Sequence, residues 1–315
     1  MKNNEFALDA CQIHGAPSTN LVNADEVAES EVWLHCDRTN EAFSQWLTAN
    51  HIDDSIIESL LATDTRPRFQ RFNNDSFLLI LRGVNLNRCK APDDMLAIRM
   101  LYTPERLITC NAQHSKAISI VLQQLQKGHG PENVAALIIE IFSQINAYIE
   151  EVLEPTEDFI DGQDNDQFDK EQIADISAMH KKMLKLNRFL KPQIHALAAV
   201  SKANIANFAA YSVALANQVD VLSRIVESID FYIAQIDVIN ARINQFNTEL
   251  MNRNTYILSI IAGIFLPLGF LTGLFGINIG GMPGVDNSSA FYWFCGLLSV
   301  IGLLEFLLFR RLKFL

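Results

Sequence analysis

Two long apolar stretches near the C-terminal end constrain this chain more than any other feature. Thr255 to Phe275 contains no charged residue, and Ala290 to Phe309 contains one, Glu305. Each is about as long as the roughly 20 residues a helix needs to cross a bilayer core. Lipid offers the backbone no hydrogen-bond partner, so segments that cross there are helices bonded to themselves. The connection between them, residues 276–289, is short and Gly-rich, with one acid, Asp286, and no Lys or Arg. It opens Gly276-Ile277-Asn278, which puts Asn278 where a membrane helix stops and water begins. Arg253 precedes the first stretch, and Arg310, Arg311 and Lys313 follow the second. This bias places both chain ends in the cytoplasm. The expectation is a multi-pass membrane protein, with transport as its role.

Composition narrows the partners. The start, MKNNEFALDACQIHG, has no apolar core of signal-peptide length, so the large N-terminal part is expected to stay inside the cell. The five cysteines, Cys11, Cys36, Cys89, Cys110 and Cys295, are scattered, with no C-x-x-C, as suits free thiols in a reducing compartment. A net charge of -11 argues against nucleic acid, which needs a basic patch, and suits a cationic partner.

The soluble part reads as a small, largely hairpin-built sheet followed by helices. Val32 to Cys36 predicts a strand, and Glu41 to Leu47 and Asp54 to Leu61 predict helices, the latter capped by Asp53 or Asp54. Arg68 to Phe72 and Ser76 to Gly83 are strands about an Asn73-Asn74-Asp75 turn, and Met95 to Tyr102 and Arg106 to Cys110 are joined through Thr103-Pro104-Glu105. Pro131 is expected just inside the start of a helix that carries Val134, Leu137, Ile138, Ile141, Ile145 and Ile149 at helical spacing. A second helix is expected from about Glu171 to Leu190, with Pro192 and the polar Ser201-Lys202-Ala203-Asn204 allowing breaks after it. The acid-rich stretch between the two, Glu150 to Glu171, reads as a solvated hairpin tip. Its Asp164-Asn165-Asp166 resembles a calcium loop, but Asp169 stands where such a loop needs Gly.

From Phe208 to Ala262 the chain has neither Pro nor Gly. A helix running from there to Phe275 has about 68 residues and is about 100 Å long at 1.5 Å each. Its outer part is a stalk. At 100° per residue, Leu222, Ile225, Ile229, Tyr232, Ile236, Ile239, Ile243 and Leu250 share a face expected to pack on a neighbour. The opposite face carries Asp220, Glu227, Asp230, Ala234, Asp237, Ala241, Gln245, Thr248 and Asn252. In the membrane it becomes Thr255, Ser259, Ala262, Leu266, Gly269 and Gly273. Two readings are open. The acids are the wet side of an amphipathic helix and Gly269-x-x-x-Gly273 is a packing seam, or several copies ring an axis, so that the acids attract cations and the small residues line a watery path. The two halves are in phase, which favours the path, and two spans per chain then demand a closed ring of copies. Leu266 is the candidate for an apolar constriction in it.

Other chemistry is sparse. His14, His35, His51, His114, His129, His180 and His195 show no helical zinc spacing. There is no phosphate-binding P-loop, G-x-S-x-G or H-E-x-x-H, so neither nucleotide-driven transport nor hydrolysis is supported, and no enzyme or cofactor is expected. Glu305 is either a proton site in the membrane or a side chain reaching the interface near Arg310.

Gly276-Ile277-Asn278, together with Met251-Asn252-Arg253-Asn254 leading to Ile264-Phe265-Leu266-Pro267-Leu268, resembles the CorA superfamily of divalent-cation transporters, whose mark is a G-M-N motif ending the first of two C-terminal spans. Within it the chain is most similar to the ZntB zinc transporters, through Asn278-Ile279-Gly280-Gly281-Met282-Pro283-Gly284, Leu81-Arg82-Gly83-Val84-Asn85-Leu86-Asn87 and Asp94-Met95-Leu96-Ala97-Ile98-Arg99. The resemblance implies a homopentamer in the bacterial inner membrane: an α+β cytoplasmic funnel domain, a long stalk helix and two transmembrane helices. The corresponding segments are 1–130 (α/β domain), 131–206 (helical hairpin), 207–254 (stalk), 255–275 (first, pore-lining span), 276–289 (external loop), 290–309 (second span) and 310–315 (basic tail).

It implies that Asn278 side chains ring the entrance and offer amide oxygens to a cation that keeps its hydration water. Three departures separate the chain from the magnesium channels. Ile277 replaces Met, Met282-Pro283-Gly284-Val285 lacks an acid, and Asn217-Gln218-Val219-Asp220-Val221 stands for a D-x-x-D-H. Magnesium gating is therefore not expected. Zinc is the expected substrate, by proton-linked uptake. The alternatives are a magnesium, cobalt or nickel channel of the same superfamily and, from another class, a membrane-anchored coiled-coil scaffold without flux.

Overall fold

A computed structural model of the 315-residue chain describes residues 7–13, 32–72, 75–104, 106–163, 168–277 and 287–311. It divides into two units, Met1–Asn240 and Ala241–Leu315.

The first unit is organised on a six-stranded sheet. Strands β1 (Ala7–Gln12), β2 (Val32–Asp37), β3 (Arg68–Arg71), β4 (Phe77–Gly83), β5 (Leu96–Tyr102) and β6 (Arg106–Asn111) lie in the order β1-β2-β6-β5-β4-β3. The β2–β6 pair is parallel, with Val32 opposite Arg106 and Cys36 opposite Cys110, and every other pair is antiparallel. The hairpins follow from turn chemistry: the Thr103 and Arg106 backbones bond each other across the Pro104 turn. Strand β4, between β5 and the edge strand β3, is buried on both faces from Phe77 to Leu81, which is why that part reads as an apolar run instead of alternating.

Helices α1 (Glu41–Ala49) and α2 (Asp54–Leu61) cover one face. There Phe43, Trp46, Leu47, Ile57 and Leu60 form one core with Val32, Leu34, Cys36, Leu78, Ile80, Leu101, Ile108 and Cys110. Asp53 is the α2 cap, its carboxylate accepting from the Ser55 N–H at 2.8 Å. On strands β2 and β6 a buried polar trio, Trp33, His35 and Thr109, satisfies itself. The Trp33 indole donates to Thr109 Oγ1 at 2.8 Å, and His35 Nδ1 lies 2.9 Å from the same oxygen.

Helices α3 (Lys116–Gln126), α4 (Val134–Asp161) and α5 (Lys170–Lys202) follow. Three expectations need correction. Pro131 lies outside α4, because Asn133, extended at φ −154°, caps the helix by accepting from the Ala136 N–H at 2.9 Å. The acid-rich tip is shorter than expected: α4 holds Pro155 internally and runs to Asp161, so Glu154, Glu157, Asp158 and Asp161 are helical. Asp164-Asn165-Asp166 lie outside the described residues. Finally, Pro192 does not break α5, which ends instead at the other allowed break, Ser201-Lys202-Ala203-Asn204. The helix continues to Lys202 because its next turns are anchored: Ala196, Leu197 and Val200 are buried, and the Gln193 amide bonds both backbone groups of Arg82, accepting from N–H at 2.6 Å and donating to C=O at 3.2 Å. That tertiary gain outweighs the hydrogen bond Pro removes. Strand β1 and helix α3 are elements that the sequence pattern does not predict.

The long helix α6 is Ser212–Phe275, 64 residues, preceded by a 3-10 turn over Ala206–Tyr211. The expected start at Phe208 falls in that turn. Phe208 is buried edge-on to Phe77 and Tyr102, which stack on each other with centroids 4.8 Å apart, and this cluster holds the chain off the helical path. Along α6 the expected apolar face is buried at Leu222, Ile225, Ile229, Ile236, Ile239 and Ile243, half-buried at Tyr232 and exposed at Leu250.

In the second unit, the end of α6 and α7 (Ala290–Arg311) are both long and apolar enough to cross a membrane. They pack as an antiparallel pair. A Cβ on Gly263 would sit 2.7 Å from the Phe309 ring, one on Gly302 would touch Leu268 at 3.9 Å, and the Phe275 and Phe294 rings are 4.9 Å apart.

Candidate functional site

The candidate site is one side of α6. Its in-membrane part has a definite relation to α7. Ile260, Gly263, Ile264, Pro267, Leu268 and Leu271 are half-buried, and at 100° per residue they centre on the side that meets α7. Thr255, Ser259, Ala262, Leu266, Gly269 and Gly273 are exposed on roughly the opposite side. A Cβ at Gly269 or Gly273 would meet nothing within 4 Å, and Leu266 is 73% exposed. The close-packing glycine of this helix pair is therefore Gly263, and Gly269-x-x-x-Gly273 is not its seam. The Ser259 hydroxyl donates to the Thr255 carbonyl at 2.9 Å, which spends its proton on the helix and leaves its oxygen lone pairs as acceptors on the exposed side.

At the end of α6, Gly276 has a steric reason to be glycine. Its N–H bonds Thr272 O at 2.9 Å and Gly273 O at 3.2 Å, and a Cβ there would come 3.0 Å from the Thr272 carbonyl oxygen. The first residue of the motif thus closes the helix, and Ile277 beside it is 46% exposed. Asn278, Met282-Pro283-Gly284-Val285 and Asp286 lie outside the described residues, as does Lys313. Glu305 is half-buried on the α7 side that also carries Gly302 and Phe309, with Oε2 covered and without a partner among the described residues.

Toward the N-terminal end of α6, Asp220, Glu227, Asp230 and Asp237 are all exposed, as are Ala234, Ala241, Gln245, Thr248 and Asn252. Three of the four acids have basic neighbours. Asp220 lies 3.5 Å from Arg224 one turn on; Asp230 is 2.9 Å from Lys191 and accepts from Asn187 at 2.7 Å; Asp237 is 3.3 Å from His180. The Lys191 ammonium first, and Asn187 after it, hold the Asp230 carboxyl below the usual carboxylate range. Exposed pairs of this kind are worth little and leave the carboxylates open to a second cation. The partners on α5 had no signal in the sequence, because residues so far apart in the chain meet only through the α5–α6 packing. Tyr232, on the opposite side, is raised by burial and by Glu157 and Asp161 of α4. Among the described residues, no group of three or more His, Cys, Asp or Glu could hold a metal ion. Whatever this face handles, it handles with scattered carboxylates and neutral oxygens, a donor set suited to passing contact with a hard or hydrated cation.

Comparison with known proteins agrees with this architecture. Residues 28–311 match the family described as CorA-like Mg2+ transporter protein. The zinc transport protein ZntB of Vibrio parahaemolyticus is 38% identical over 300 residues, covering 94% of this chain and 93% of that protein. The divalent cation transporter CmaX of Pseudomonas aeruginosa is 29% identical over 92% of this chain and 90% of its own length. The solved structure of full-length CmaX superposes with a TM-score of 0.80 at 27% identity, over 98% of each chain. Family and relatives are transporters, not enzymes, and they leave a scaffold without flux unsupported. An α/β sheet domain, a helix of 64 residues and two apolar C-terminal helices, matched over nearly the whole length, place the chain in the CorA family of divalent-cation transporters.

Proposed function

We propose that the chain is a homopentameric transporter of the bacterial inner membrane, with both termini cytoplasmic, that takes up zinc in a proton-linked manner. The observation that carries this reading is the continuous exposed face of α6, acidic from Asp220 to Asp237, neutral and polar from Gln245 to Ser259, and small through Ala262, Gly269 and Gly273, with α7 on the other side of the helix. A lipid-facing strip would be Leu, Ile and Phe. One chain cannot enclose a path with two spans, so the face is completed by symmetry-related copies.

Each segment then has a task. The carboxylates of Asp220, Glu227, Asp230 and Asp237 raise the local concentration of divalent cations. The oxygens of Asn252, Thr255 and Ser259 replace outer-shell water without binding deeply enough to stop the ion. Leu266 forms the apolar constriction, and Gly269 and Gly273 leave width beyond it. The Gly276-Ile277-Asn278 motif forms the mouth, where Asn278 offers amide oxygens to a hydrated cation. Zinc is supported by the ZntB relative at 38% identity and by the departures from the magnesium pattern at Ile277 and Gly284.

Uptake of radioactive zinc and magnesium into liposomes holding the purified protein tests this. Zinc is expected to enter above empty vesicles, faster with an imposed pH gradient, and Asn278→Ala is expected to remove flux while leaving the oligomer intact. Entry of magnesium alone would assign the chain to the magnesium, cobalt and nickel channels. No response to the gradient rejects proton coupling, and normal flux in Asn278→Ala rejects the selectivity ring.

A further inference from the structure

A second site lies in the first unit, at one end of the sheet, and no residue of α6 lines it. Five chain segments converge there on a cavity of about 370 Å³: Arg38 after β2, Thr63 after α2, Arg82 at the end of β4, Lys90 and Asp94 from the β4–β5 loop with Arg99 on β5, and Asn111 at the end of β6 with Ala112 and Gln113 after it. In a chain of net charge -11 this lining carries four cations against one carboxylate, and that carboxylate, Asp94, is engaged by Lys185 at 3.2 Å.

The hydrogen-bond inventory is one-sided. Arg99 is 1% exposed, yet among the described residues its guanidinium bonds only neutral oxygens, Ala62 O at 2.6 Å and Thr65 Oγ1 at 3.3 Å. Arg38 donates to Leu61 O, and Arg82 donates to Met95 O and Thr65 O and lies over the Phe189 ring at 4.6 Å. None of the three makes a salt bridge among the described residues. Four buried side-chain atoms of the lining have no partner among the described residues, Arg38 Nε, Arg82 Nε, Arg99 Nε and Asn111 Nδ2, and all four are donors. Burial first, and then the nearby Arg38, Arg82 and Arg68 charges, pull the Arg99 guanidinium down to about 10, which leaves it fully charged near neutrality.

A buried charge is stable only when paired, and like charges gathered around a cavity oppose folding. Water can satisfy single donors but does not neutralise the set. Guanidinium groups match the geometry of oxyanions with two or more acceptor oxygens. We propose that this cavity is a binding site for a small, multiply charged phosphate-bearing anion, held by Arg38, Arg82 and Arg99 with Asn111 beneath and Lys90 at the rim. The site is independent of which cation the membrane part carries.

Calorimetric titration of the purified full-length protein with inorganic pyrophosphate, in metal-free buffer at fixed ionic strength, tests it. One pyrophosphate per chain is expected. Arg38→Gln, at a half-buried position, should weaken it about tenfold or more, and Lys90→Gln, at an exposed one, should weaken it less. Arg99→Gln should abolish binding, and Arg38→Gln keeps the test valid if Arg99→Gln fails to fold. Absence of binding, or unchanged affinity in Arg38→Gln, overturns the proposal. Equal displacement by chloride at the same concentration means an adventitious ion only, and overturns it as well.

Discussion

Alanine at the three glycines of the first span gives opposite results depending on which side of α6 each occupies. Replacing a helical glycine by alanine gains about 1 kcal/mol of helix propensity, and this gain is common to Gly263, Gly269 and Gly273. The difference between sites therefore isolates what the new methyl group meets. At Gly263 it sits 2.7 Å from the tip of the Phe309 ring, where carbon contacts settle at about 3.5–4.0 Å. The ring has to move by about 1 Å, and overpacking of this kind costs about 1–3 kcal/mol, nearer the lower figure because a ring tip can swing. At Gly269 and Gly273 the methyl meets nothing within 4 Å, so neither carries that cost. Thermal unfolding of the purified protein in detergent should rank Gly263→Ala below both others by at least about 1 kcal/mol. Zinc flux in liposomes should fall in Gly269→Ala and Gly273→Ala, whose methyl groups narrow the proposed path without harming the fold. Loss of the oligomer in Gly269→Ala with Gly263→Ala tolerated would refute the reasoning, because the exposed stripe would then be a packing seam between copies.

Two further outcomes concern the first unit. Gln193→Ala strips both backbone groups of Arg82 of their partner at a point on β4 that β3, which starts opposite Ile80, does not reach, and each buried group left unsatisfied costs about 1–3 kcal/mol; a denaturant midpoint unchanged from wild type would show that α5 passes Pro192 for another reason. Burial first, and the nearby His114 charge second, lower the His35 imidazole from 6.5 to about 4. The unfolded chain thus binds the extra proton between those values, so stability is complete above about pH 6.5 and falls by roughly 3 kcal/mol as pH drops toward 4. Unfolding of wild type and His35→Gln at both ends of this window checks it, and an identical pH dependence in the two proteins would reject it.

The amino-acid sequence by itself determined what rests on local chemistry and on period. The two apolar C-terminal helices, the hairpins about Pro104 and the Asp53 cap follow from residues adjacent in the chain, and the buried face from Leu222 to Ile243 follows from a 3.6-residue repeat. The expected site residues of α6 could be named together for the same reason, since one helix carries them all. Only the tertiary structure decided whether prolines stop helices. Pro155 and Pro192 lie inside α4 and α5 because packing and the Gln193 bonds outweigh a single lost backbone bond, and Phe208 lies in a 3-10 turn because Phe77 and Tyr102 hold it. It also decided the parallel β2–β6 pairing, the α5 partners of the stalk acids, and the choice of Gly263 over Gly269 as the glycine that packs. The arginine cavity belongs with these. Arg38, Arg82 and Arg99 are far apart in sequence and share no motif, and they meet because the sheet brings the ends of β2, β4 and β6 and the start of β5 together. A linear pattern records which faces a segment offers, and what covers each face is settled by contacts between residues that the chain keeps far apart.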